Sequence, residues 1–313
     1  MKKLSLVISV FNEEDNVVPL VEQINMALMG FDYETIFVDD GSSDATVENI
    51  RKLDDAHVHL VELKKNYGQS SALAAGIDHA SGDYIITLDG DLQNDPSDIP
   101  AMVKLAEKGD WDLVVGIRKN RKDDFIIRKI PSIIANSMIR KTTGVKIKDN
   151  GCALKVFKAD MAKSLGLYGE MHRYISVLAA LEGATITQME VKHHPRVHGR
   201  SKYGLSRTFR VISDLILLLF FKRYLQKPMH FFGMWGMLVF GIGVVINIYL
   251  LVLKILGYDI WGRPLLILGI LLVLAGFQMI TTGIIVEYQM RTYFESQQKK
   301  PYRVKKITVY GEQ

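Results

Sequence analysis

The chain has 313 residues, of which 48% are hydrophobic and 23% are charged, and its formal net charge is +5. This length accommodates one sizeable domain with an appendage, and the composition excludes a disordered chain. The modest positive charge suits an anionic membrane surface or phosphate, and no basic pattern with stacking aromatics indicates nucleic-acid binding. The single cysteine, Cys152, excludes a disulfide within the chain and fits a reducing compartment.

Strands and helices are predicted to alternate through the first part of the chain. The predicted strands cover residues 4–10, 33–38, 58–63, 84–88 and 113–116. The predicted helices cover residues 13–29, 46–53, 69–80 and 98–108. Such alternation with short connections predicts a mainly parallel sheet covered by helices on both faces, with ligands beyond the carboxyl ends of the strands.

The fourth predicted strand is followed by a pair of carboxylates that could hold a metal ion. Asp89 and Asp91 flank Gly90, which has no side chain, and Gln93 supplies another oxygen nearby. Oxygen ligands suit a hard divalent cation, and the glycine would let a diphosphate approach closely. Such a triplet is common in turns, but its position at a strand end favours a metal site.

Polar residues also follow the first and second predicted strands. Phe11 could stack on a nucleobase, while Glu13 and Asp39 could bind the nucleoside. A structural alternative for Glu13 and Glu14 is favourable negative charge in a first helical turn. Asp44 is expected to cap the helix that follows it.

The last third of the chain has the length and composition of membrane-embedded helices. Residues 231–253 and 265–286 are apolar and long enough to cross the hydrocarbon core, so we expect two spans. Before them, residues 125–140 predict an amphipathic helix, residues 191–203 a polar basic loop, and residues 208–221 a helix in the membrane interface.

The charges around the two predicted spans indicate their orientation. The connection between them, residues 254–264, carries few charges, whereas lysine and arginine residues flank both outer ends. The positive-inside rule therefore predicts that the N-terminus, the C-terminus and the preceding domain are cytoplasmic.

Glycine recurs every seven residues in both predicted spans, which makes one smooth stripe on each helix. The stripes consist of Gly236, Gly243, Gly269, Gly276 and Gly283. They either permit close approach between helices or reflect the general abundance of glycine in membrane helices. Together with a basic tail at residues 303–310 that could add a strand, they predict a homo-oligomer such as a tetramer.

Several motifs occur in the order expected of family 2 glycosyltransferases with the GT-A fold. They are residues 9–14 (SVFNEE), 38–44 (VDDGSSD), 66–68 (NYG), 89–93 (DGDLQ) and 116–118 (GIR). Further segments resemble the polyprenyl-phosphate glycosyltransferases, which include dolichyl-phosphate mannose synthases and bacterial bactoprenol glucosyl and aminoarabinose transferases. These segments are residues 149–152 (DNGC), 170–173 (EMHR), 194–196 (HPR) and 199–203 (GRSKY). The two predicted spans resemble the bacterial subgroup.

The resemblance implies an α/β fold, in which a Rossmann-like GT-A domain precedes interface helices and two transmembrane helices. The implied organisation is a cytoplasmic catalytic domain at residues 1–207, an amphipathic interface helix at 208–228, a transmembrane hairpin at 229–290 and a basic cytoplasmic tail at 291–313. We therefore expect a multi-pass protein of the bacterial inner membrane.

Residue roles follow from the same resemblance. It implies that the donor is bound by Ser9, Phe11, Glu13, Asp39, Asp40, Asp89 and Lys202. It implies that the acceptor phosphate is bound by Arg118, Arg128, Ser132 and Arg196. It implies a divalent metal, Mg²⁺ or Mn²⁺, on Asp89, Asp91 and Gln93, and catalytic roles for Asp91, Asp149 and Arg118.

The expectations for Asp149 and Ser9 follow from their residue types. Asp149 would act as a general base or would orient the acceptor site. Many family members have proline at the position of Ser9. A proline there would only stiffen the strand end.

The implied activity is transfer of one sugar, with inversion, from a nucleotide-sugar to undecaprenyl phosphate for cell-envelope glycan modification. UDP-glucose is the donor expected from the subgroup. The Gln-x-x-Arg-Trp motif of processive synthases does not occur around Trp111, Trp235 or Trp261, which favours a single addition. The alternatives are transfer to another membrane lipid or glycan, and an inactive sugar-nucleotide-binding accessory subunit of a sugar-lipid flippase. The intact Asp89 and Asp91 oppose the inactive subunit.

Overall fold

The computed structural model describes residues 2–118, 147–167, 169, 171–195, 220, 224 and 227–296. The chain divides into two compact units, Met1–Arg210 and Val211–Gln313. The first is an α/β domain, and the described part of the second consists mainly of two long apolar helices. The predicted helices at residues 125–140 and 208–221 lie outside the described residues, except for Phe220.

Strands and helices alternate through the first unit. In chain order it contains β1 (Leu4–Val10), α1 (Val17–Ala27), β2 (Tyr33–Asp39), α2 (Thr46–Arg51), β3 (Val58–Glu62), α3 (Gln69–His79), β4 (Tyr84–Asp89), α4 (Ile99–Lys108), β5 (Leu113–Arg118), β6 (Lys155–Lys158), α5 (Ala159–Ser164), α6 (Ile175–Leu181) and β7 (Ile186–Val191). Short 3-10 helices occupy Pro96–Asp98 and Met171–Tyr174. The second unit contains α7 (Pro228–Ile255) and α8 (Pro264–Ser296).

The sheet has seven strands in the order β3-β2-β1-β4-β6-β5-β7. β1 pairs in parallel with β2 and β4, β2 with β3, and β5 with β7, while β6 is antiparallel to both neighbours. The predicted mainly parallel sheet is confirmed, with β6 and β7 in addition. β6 has only four residues and β7 is half-exposed with polar positions, so neither shows a long apolar run.

The central strand β1 brings two acidic strand ends side by side. Ser9 lies opposite Asp89 of β4, and Val10 lies opposite Asp39 of β2. The chain moves outward from β1 through β2 to β3 and then crosses to β4 on the other side of β1. Open α/β sheets bind ligands in the crevice at such a reversal, beyond the carboxyl ends of the strands.

Alternation along β1 explains how helices cover both faces of the sheet. Leu6 and Ile8 pack in the cluster that contains residues of α1 and α4, whereas Val7 packs with residues of α3, α5 and α6. All three side chains are fully buried. Burying one such side chain stabilises the fold by about 1.5–3 kcal/mol relative to leaving it exposed, so β1 anchors both layers.

Helix α1 begins at Val17, later than the predicted start at residue 13. The alternative that places Glu13 and Glu14 in a first helical turn is therefore wrong. Their backbone N–H groups instead donate to Thr46 Oγ1 at 2.8 Å and Asp44 Oδ2 at 3.3 Å, which ties this segment to the loop after β2. The N-cap residue of α2 is Ala45, so the prediction that Asp44 caps this helix is wrong, although Asp44 Oδ1 accepts from Thr46 N at 3.0 Å.

Helices α7 and α8 are long, apolar and mostly exposed, as expected of membrane spans. The candidate spans are Pro228–Ile255 and Pro264–Met290, whose most apolar stretches have mean hydropathies of 2.5 and 2.3 and are 17% and 11% buried. A core helix of a soluble protein would bury most of such a surface, so the exposure favours contact with lipid. α8 continues to Ser296 and therefore includes the first residues of the predicted tail.

The glycine stripes lie where α7 and α8 approach each other. A Cβ at Gly276 would lie 2.4 Å from Phe240 N, and one at Gly243 would lie 2.7 Å from Val273 N. Real Cβ atoms do not come so close to backbone, so these positions require glycine. Close helix approach is thus the explanation that applies. This approach is between two helices of the same chain, so the stripes no longer support the predicted homo-oligomer.

At the amino ends of the parallel strands, Glu34 of β2 is held by donors from two segments. Its carboxylate accepts from Ser5 Oγ at 2.5 Å, Ser81 N at 2.8 Å and Lys3 Nζ at 3.1 Å. Burial alone would raise the pKa of Glu34, but these hydrogen bonds outweigh burial and lower the pKa from 4.5 to about 2. The charged carboxylate therefore stabilises the folded state.

We expect Glu34→Gln to lower the melting temperature at neutral pH by roughly 3–8 °C, because an amide cannot replace the charge-assisted bonds. Since the folded pKa lies below the unfolded value, this stabilisation is present above pH 4.5 and is lost as the pH falls towards about 2. Thermal unfolding of the wild type and the variant across this pH range measures the difference.

Glu62→Gln is the matched control, because Glu62 pairs with Arg51 at an exposed position. Exposed pairs contribute little, so this control should shift melting by about 1 °C or less. Equal shifts in the two variants, or an effect of Glu34→Gln that persists at the lowest pH, would contradict the role of Glu34.

Candidate active site

Predicted site residues from several strands meet at the carboxyl edge of the sheet. Asp39, Asp89 and Arg118 are the last residues of β2, β4 and β5. Asp149 precedes β6, which runs antiparallel and therefore starts at the same edge. One edge of the sheet thus carries both the acidic residues and a cation.

Asp39 and Asp40 are buried and hold the loops that follow β2 and β3. The Asp39 carboxylate accepts backbone N–H groups of its own loop at 3.0–3.3 Å. The Asp40 oxygens accept from Tyr67 N at 2.7 Å and from Gly68 N at 2.9 Å, just before α3. A carboxylate offers about four acceptor positions, so the predicted donor contacts would add to these structural bonds.

The loop after β1 interlocks with the loop after β2. Asn12 has a left-handed backbone conformation with φ 54°, and its side-chain oxygen accepts from Ser43 N at 2.8 Å. Asn16 donates from its side chain to the Glu13 carboxylate at 2.5 Å, at the start of α1. These bonds fix the turn that presents the half-buried Phe11 and Glu13.

Asp89, Gly90 and Asp91 form the turn at the end of β4. Gln69, the first residue of α3, donates from its side chain to Asp89 Oδ1 at 2.8 Å. Asp91 is 6% exposed, and its Oδ1 accepts from Gln93 N at 3.2 Å. A Cβ on Gly90 would lie 2.7 Å from a methyl carbon of β1, so packing alone explains this glycine.

This turn fits a divalent cation whose coordination shell is completed by the substrate. Within the described residues, no group of three or more His, Cys, Asp and Glu side chains could hold a metal ion. Mg²⁺ is commonly bound by one or two carboxylates together with substrate phosphates and water. Asp89, Asp91 and Gln93 offer only oxygen ligands, which suits Mg²⁺ or Mn²⁺ bound with a diphosphate.

Arg118 and Asp149 form a bidentate ion pair beyond the end of β5. Arg118 Nε lies 2.7 Å from Asp149 Oδ2, Nη2 lies 2.8 Å from Oδ1, and both side chains are 13% exposed. A carboxylate whose two oxygens both accept from a guanidinium is a poor proton acceptor, because protonation breaks the pair. Of the two roles expected for Asp149, orienting the acceptor site fits this geometry better.

A buried lysine lies behind the carboxyl edge of the sheet, where Asp39, Asp89 and Asp91 lie and which we call the acidic edge. Lys155 of β6 is 2% exposed, pairs with Thr87 in the sheet, and donates from Nζ to the Cys152 carbonyl oxygen. Burial lowers the pKa of Lys155, and its interactions with Cys152, Asp89 and Asp149 oppose that effect. Lys155 therefore interacts with acidic residues on both the β4 and the β5 side of the site. Sequence reasoning missed it, because a single lysine in a short strand gives no signal of burial.

Two residues of α3 were also missed. Besides Gln69, Ser70 is fully buried, and its Oγ lies 2.9 Å from His172 Nδ1 and accepts from His172 N at 3.0 Å. Both α3 residues follow the motif at residues 66–68, and His172 belongs to the motif at residues 170–173. Proximity to those motifs was the signal available in the sequence.

A surface cavity of about 690 Å³ lies between α1 and the segment after β4. It is lined by Gln23, Met26, Ala27, Leu92, Asp95, Ser97, His194 and Pro195. None of the predicted site residues in the described part of the chain lines this cavity, although its lining residue Leu92 lies between Asp91 and Gln93. The predicted ligands Arg128, Ser132, Arg196 and Lys202 lie outside the described residues, and their roles stay predictions.

A family model supplies the decisive comparison: the model for glycosyl transferase family 2 matches residues 5–166. The chain belongs to glycosyl transferase family 2. The match runs from β1 through α5 and therefore includes the strand ends that form the acidic edge. The predicted family and the predicted glycosyltransferase activity are confirmed.

Curated relatives extend the similarity over nearly the whole chain. A dodecaprenyl-phosphate galacturonate synthase of Rhizobium johnstonii is 49% identical over 313 residues, which cover 97% of this chain and 93% of the relative. An undecaprenyl-phosphate 4-deoxy-4-formamido-L-arabinose transferase of Yersinia pestis is 34% identical over 314 residues, which cover 98% of this chain and 94% of the relative. The resemblance to polyprenyl-phosphate glycosyltransferases is thus confirmed.

Solved structures agree with the predicted GT-A fold. Glucosyl-3-phosphoglycerate synthase from Mycobacterium tuberculosis matches with a TM-score of 0.54 at 17% identity, over 71% of this chain and 80% of that chain. At this identity the likeness establishes the fold alone, and it confirms the predicted fold class of the catalytic domain.

We expect Asp149→Ala to destabilise the protein more than the double variant Arg118→Ala/Asp149→Ala, because the single change removes the bidentate carboxylate partner of a nearly buried guanidinium. Because the pair is partly exposed, the free energy of unfolding of the double variant should exceed that of Asp149→Ala by roughly 1–3 kcal/mol. Thermal unfolding of the detergent-solubilised protein measures it. The exposed pair Arg51–Glu62 is the control, and its single changes should be small and additive. Additive losses at Arg118 and Asp149 would show that the two side chains act independently.

Proposed function

We propose that the protein transfers one sugar from a nucleotide-sugar to a polyprenyl phosphate at the membrane surface, with inversion at the anomeric carbon. The observation that carries the proposal is the acidic edge with Asp39, Asp89 and Asp91, in a family 2 domain that is followed by two apolar helices. Both curated relatives are named for sugar transfer involving a polyprenyl phosphate.

The nucleoside would bind between Phe11, Glu13 and Asp39, at the ends of β1 and β2. The register of β1 with β2 and β4 supports a continuous donor site, because Asp39 and Asp89 lie on either side of the end of β1. Phe11 would stack on the base, and Asp39 would accept from the nucleoside. The diphosphate would then extend towards Asp89.

Asp89, Asp91 and Gln93 would hold the divalent cation, and the Gln69 side chain would keep Asp89 in place. When bound, the cation would stabilise the negative charge that develops on the leaving diphosphate. The fold neighbour from M. tuberculosis was crystallised with Mn²⁺ and UDP-glucose, which supports testing this metal first. UDP-glucose is the donor expected from the resemblance, whereas galacturonate is the sugar named for the Rhizobium relative.

An oxygen of the lipid phosphate would attack the anomeric carbon while the bond from that carbon to the diphosphate breaks. The products are a polyprenyl-phosphate sugar and a nucleoside diphosphate. The attacking oxygen is already anionic near neutral pH, so no general base is required, in agreement with the paired state of Asp149. Arg118, oriented by Asp149, would bind the acceptor phosphate with Arg128, Ser132 and Arg196, since guanidinium groups match phosphate geometry.

We expect the full-length protein in detergent to transfer labelled sugar to undecaprenyl or dodecaprenyl phosphate, with UDP-galacturonate, UDP-glucuronate and UDP-glucose compared as donors. Asp91→Asn should lower the rate at least roughly 100-fold with only a small change in melting temperature, because the cation loses a charged ligand while the amide oxygen can still accept from Gln93 N. Asp78→Asn, at an exposed position of α3, is the matched control and should retain wild-type activity.

Diacylglycerol is the matched acceptor control. Transfer to diacylglycerol in preference to polyprenyl phosphate would contradict the proposed acceptor. Binding of a nucleotide-sugar with no transfer to any acceptor would favour an inactive accessory protein, and full activity in EDTA would exclude the metal role.

We further propose that α7 and α8 cross the bacterial inner membrane with both termini in the cytoplasm. A cysteine at the exposed Asp259 should react with a membrane-impermeant maleimide added to intact cells, whereas one at Gln297 should react only after permeabilisation. Cys152 is fully buried and burial raises its pKa, so the native thiol should add little background. The reverse labelling pattern would refute this orientation.

A further inference from the structure

The segment that leaves β7, residues 192–195, runs beside the turn that carries Gln93. His194 N donates to the Gln93 carbonyl oxygen at 2.8 Å, and the adjacent residues Asn94 and His193 form an isolated antiparallel bridge. On its other side, Gln93 N donates to Asp91 Oδ1 at 3.2 Å. The main chain of Gln93 is therefore held between Asp91 and residues 192–195.

Asp95 fastens the two segments through its side chain. Its Oδ2 lies 3.2 Å from His194 Nε2 and 3.5 Å from Lys192 Nζ, and its Oδ1 accepts from Ser97 N at 2.9 Å. Lys192 is held further, since its Nζ donates to Ser97 Oγ at 2.8 Å and its N to Asp98 Oδ2 at 2.7 Å. We call this set of contacts, made by Asp95, Ser97, Asp98, Lys192 and His194, the clamp.

We propose that Asp95 is a positioning residue, which uses the clamp to hold Gln93 in the orientation that binding of the divalent cation requires. The inference rests on the proposed function, because it takes Asp91 and Gln93 as metal ligands. Asp95 contacts the His194 side chain, and His194 N bonds the Gln93 carbonyl, so its effect on the cation would pass through His194 and Gln93. A backbone held at both its N–H and its carbonyl leaves Gln93 only side-chain rotation, which lowers the entropy lost on binding.

We expect Asp95→Asn to raise the Mn²⁺ concentration needed for half-saturation about tenfold, because the charge-assisted bonds of the clamp are weakened. Electron paramagnetic resonance of free Mn²⁺, with the full-length protein and UDP, measures this concentration without any transfer reaction. His194→Ala should have a similar effect, and adding it to Asp95→Asn should change little, because both remove the same contact.

Asp112→Asn is the matched control for general destabilisation. Asp112 accepts from Thr185 N at 2.8 Å and lies 3.0 Å from Lys158 Nζ, so it also fastens a segment, but at the other end of β5. It should lower the melting temperature about as much as Asp95→Asn and leave Mn²⁺ binding unchanged. Equal Mn²⁺ affinities in Asp95→Asn and the wild type, or equal weakening by Asp95→Asn and Asp112→Asn, would overturn the proposal.

A double-mutant cycle of Asp95 with Gln93 tests whether Asp95 acts by positioning Gln93 or has an independent structural role. Gln93→Ala alone should weaken Mn²⁺ binding, and Asp95→Asn added to it should cause no further loss. Losses that multiply would overturn the proposal, because Asp95 would then act independently of Gln93. If the wild type binds no Mn²⁺, or Gln93→Ala binds it as the wild type does, the metal site of the proposed function fails and this inference fails with it.

Discussion

Several carboxylates must be held close together at one edge of the sheet, and the loops around the site are built to do this. Asp39, Asp40 and Asp91 are only 3%, 4% and 6% exposed. A carboxylate removed from water is costly unless it is hydrogen-bonded or paired. Backbone N–H groups of the loops after β2, β3 and β4 supply these bonds, so the acids set the conformations of the loops that form the predicted donor site.

The reversed strand β6 brings further ionisable side chains to this edge. β6 runs antiparallel between β4 and β5, which brings Asp149 to the edge and Lys155 behind it. Lys155 interacts with Asp89 and Asp149, and Arg118 pairs with Asp149. Asp39, Asp89 and Asp91 concentrate negative charge beside β1 that a divalent cation can offset. In the proposed function, Arg118 on the β5 side would bind the anionic acceptor.

The parallel half of the fold was predictable because apolar runs bounded by polar turns mark buried strands, and β1 to β4 fall within one residue of their predicted ends. β6, β7 and Lys155 were not predictable in the same way, since their roles depend on partners far away in the sequence. The start of α1 was missed because bonds from Glu14 to the loop after β2 override the helical pattern. The glycine stripes were consistent with close helix packing, but only the structure identified the packing partner of each helix as the other helix of the same hairpin.

The most direct test of whether the acidic edge binds a nucleoside diphosphate through a cation is phosphorus-31 electron–nuclear double resonance. The sample is protein with bound Mn²⁺ and UDP, separated from free Mn²⁺ and free UDP. We predict phosphorus hyperfine coupling in the wild type, because Asp89 and Asp91 leave coordination positions for diphosphate oxygens. The coupling should disappear in Asp91→Asn while thermal unfolding shows that the variant remains folded. Bound Mn²⁺ that shows no phosphorus coupling, or coupling that survives undiminished in Asp91→Asn, would contradict this account of the site.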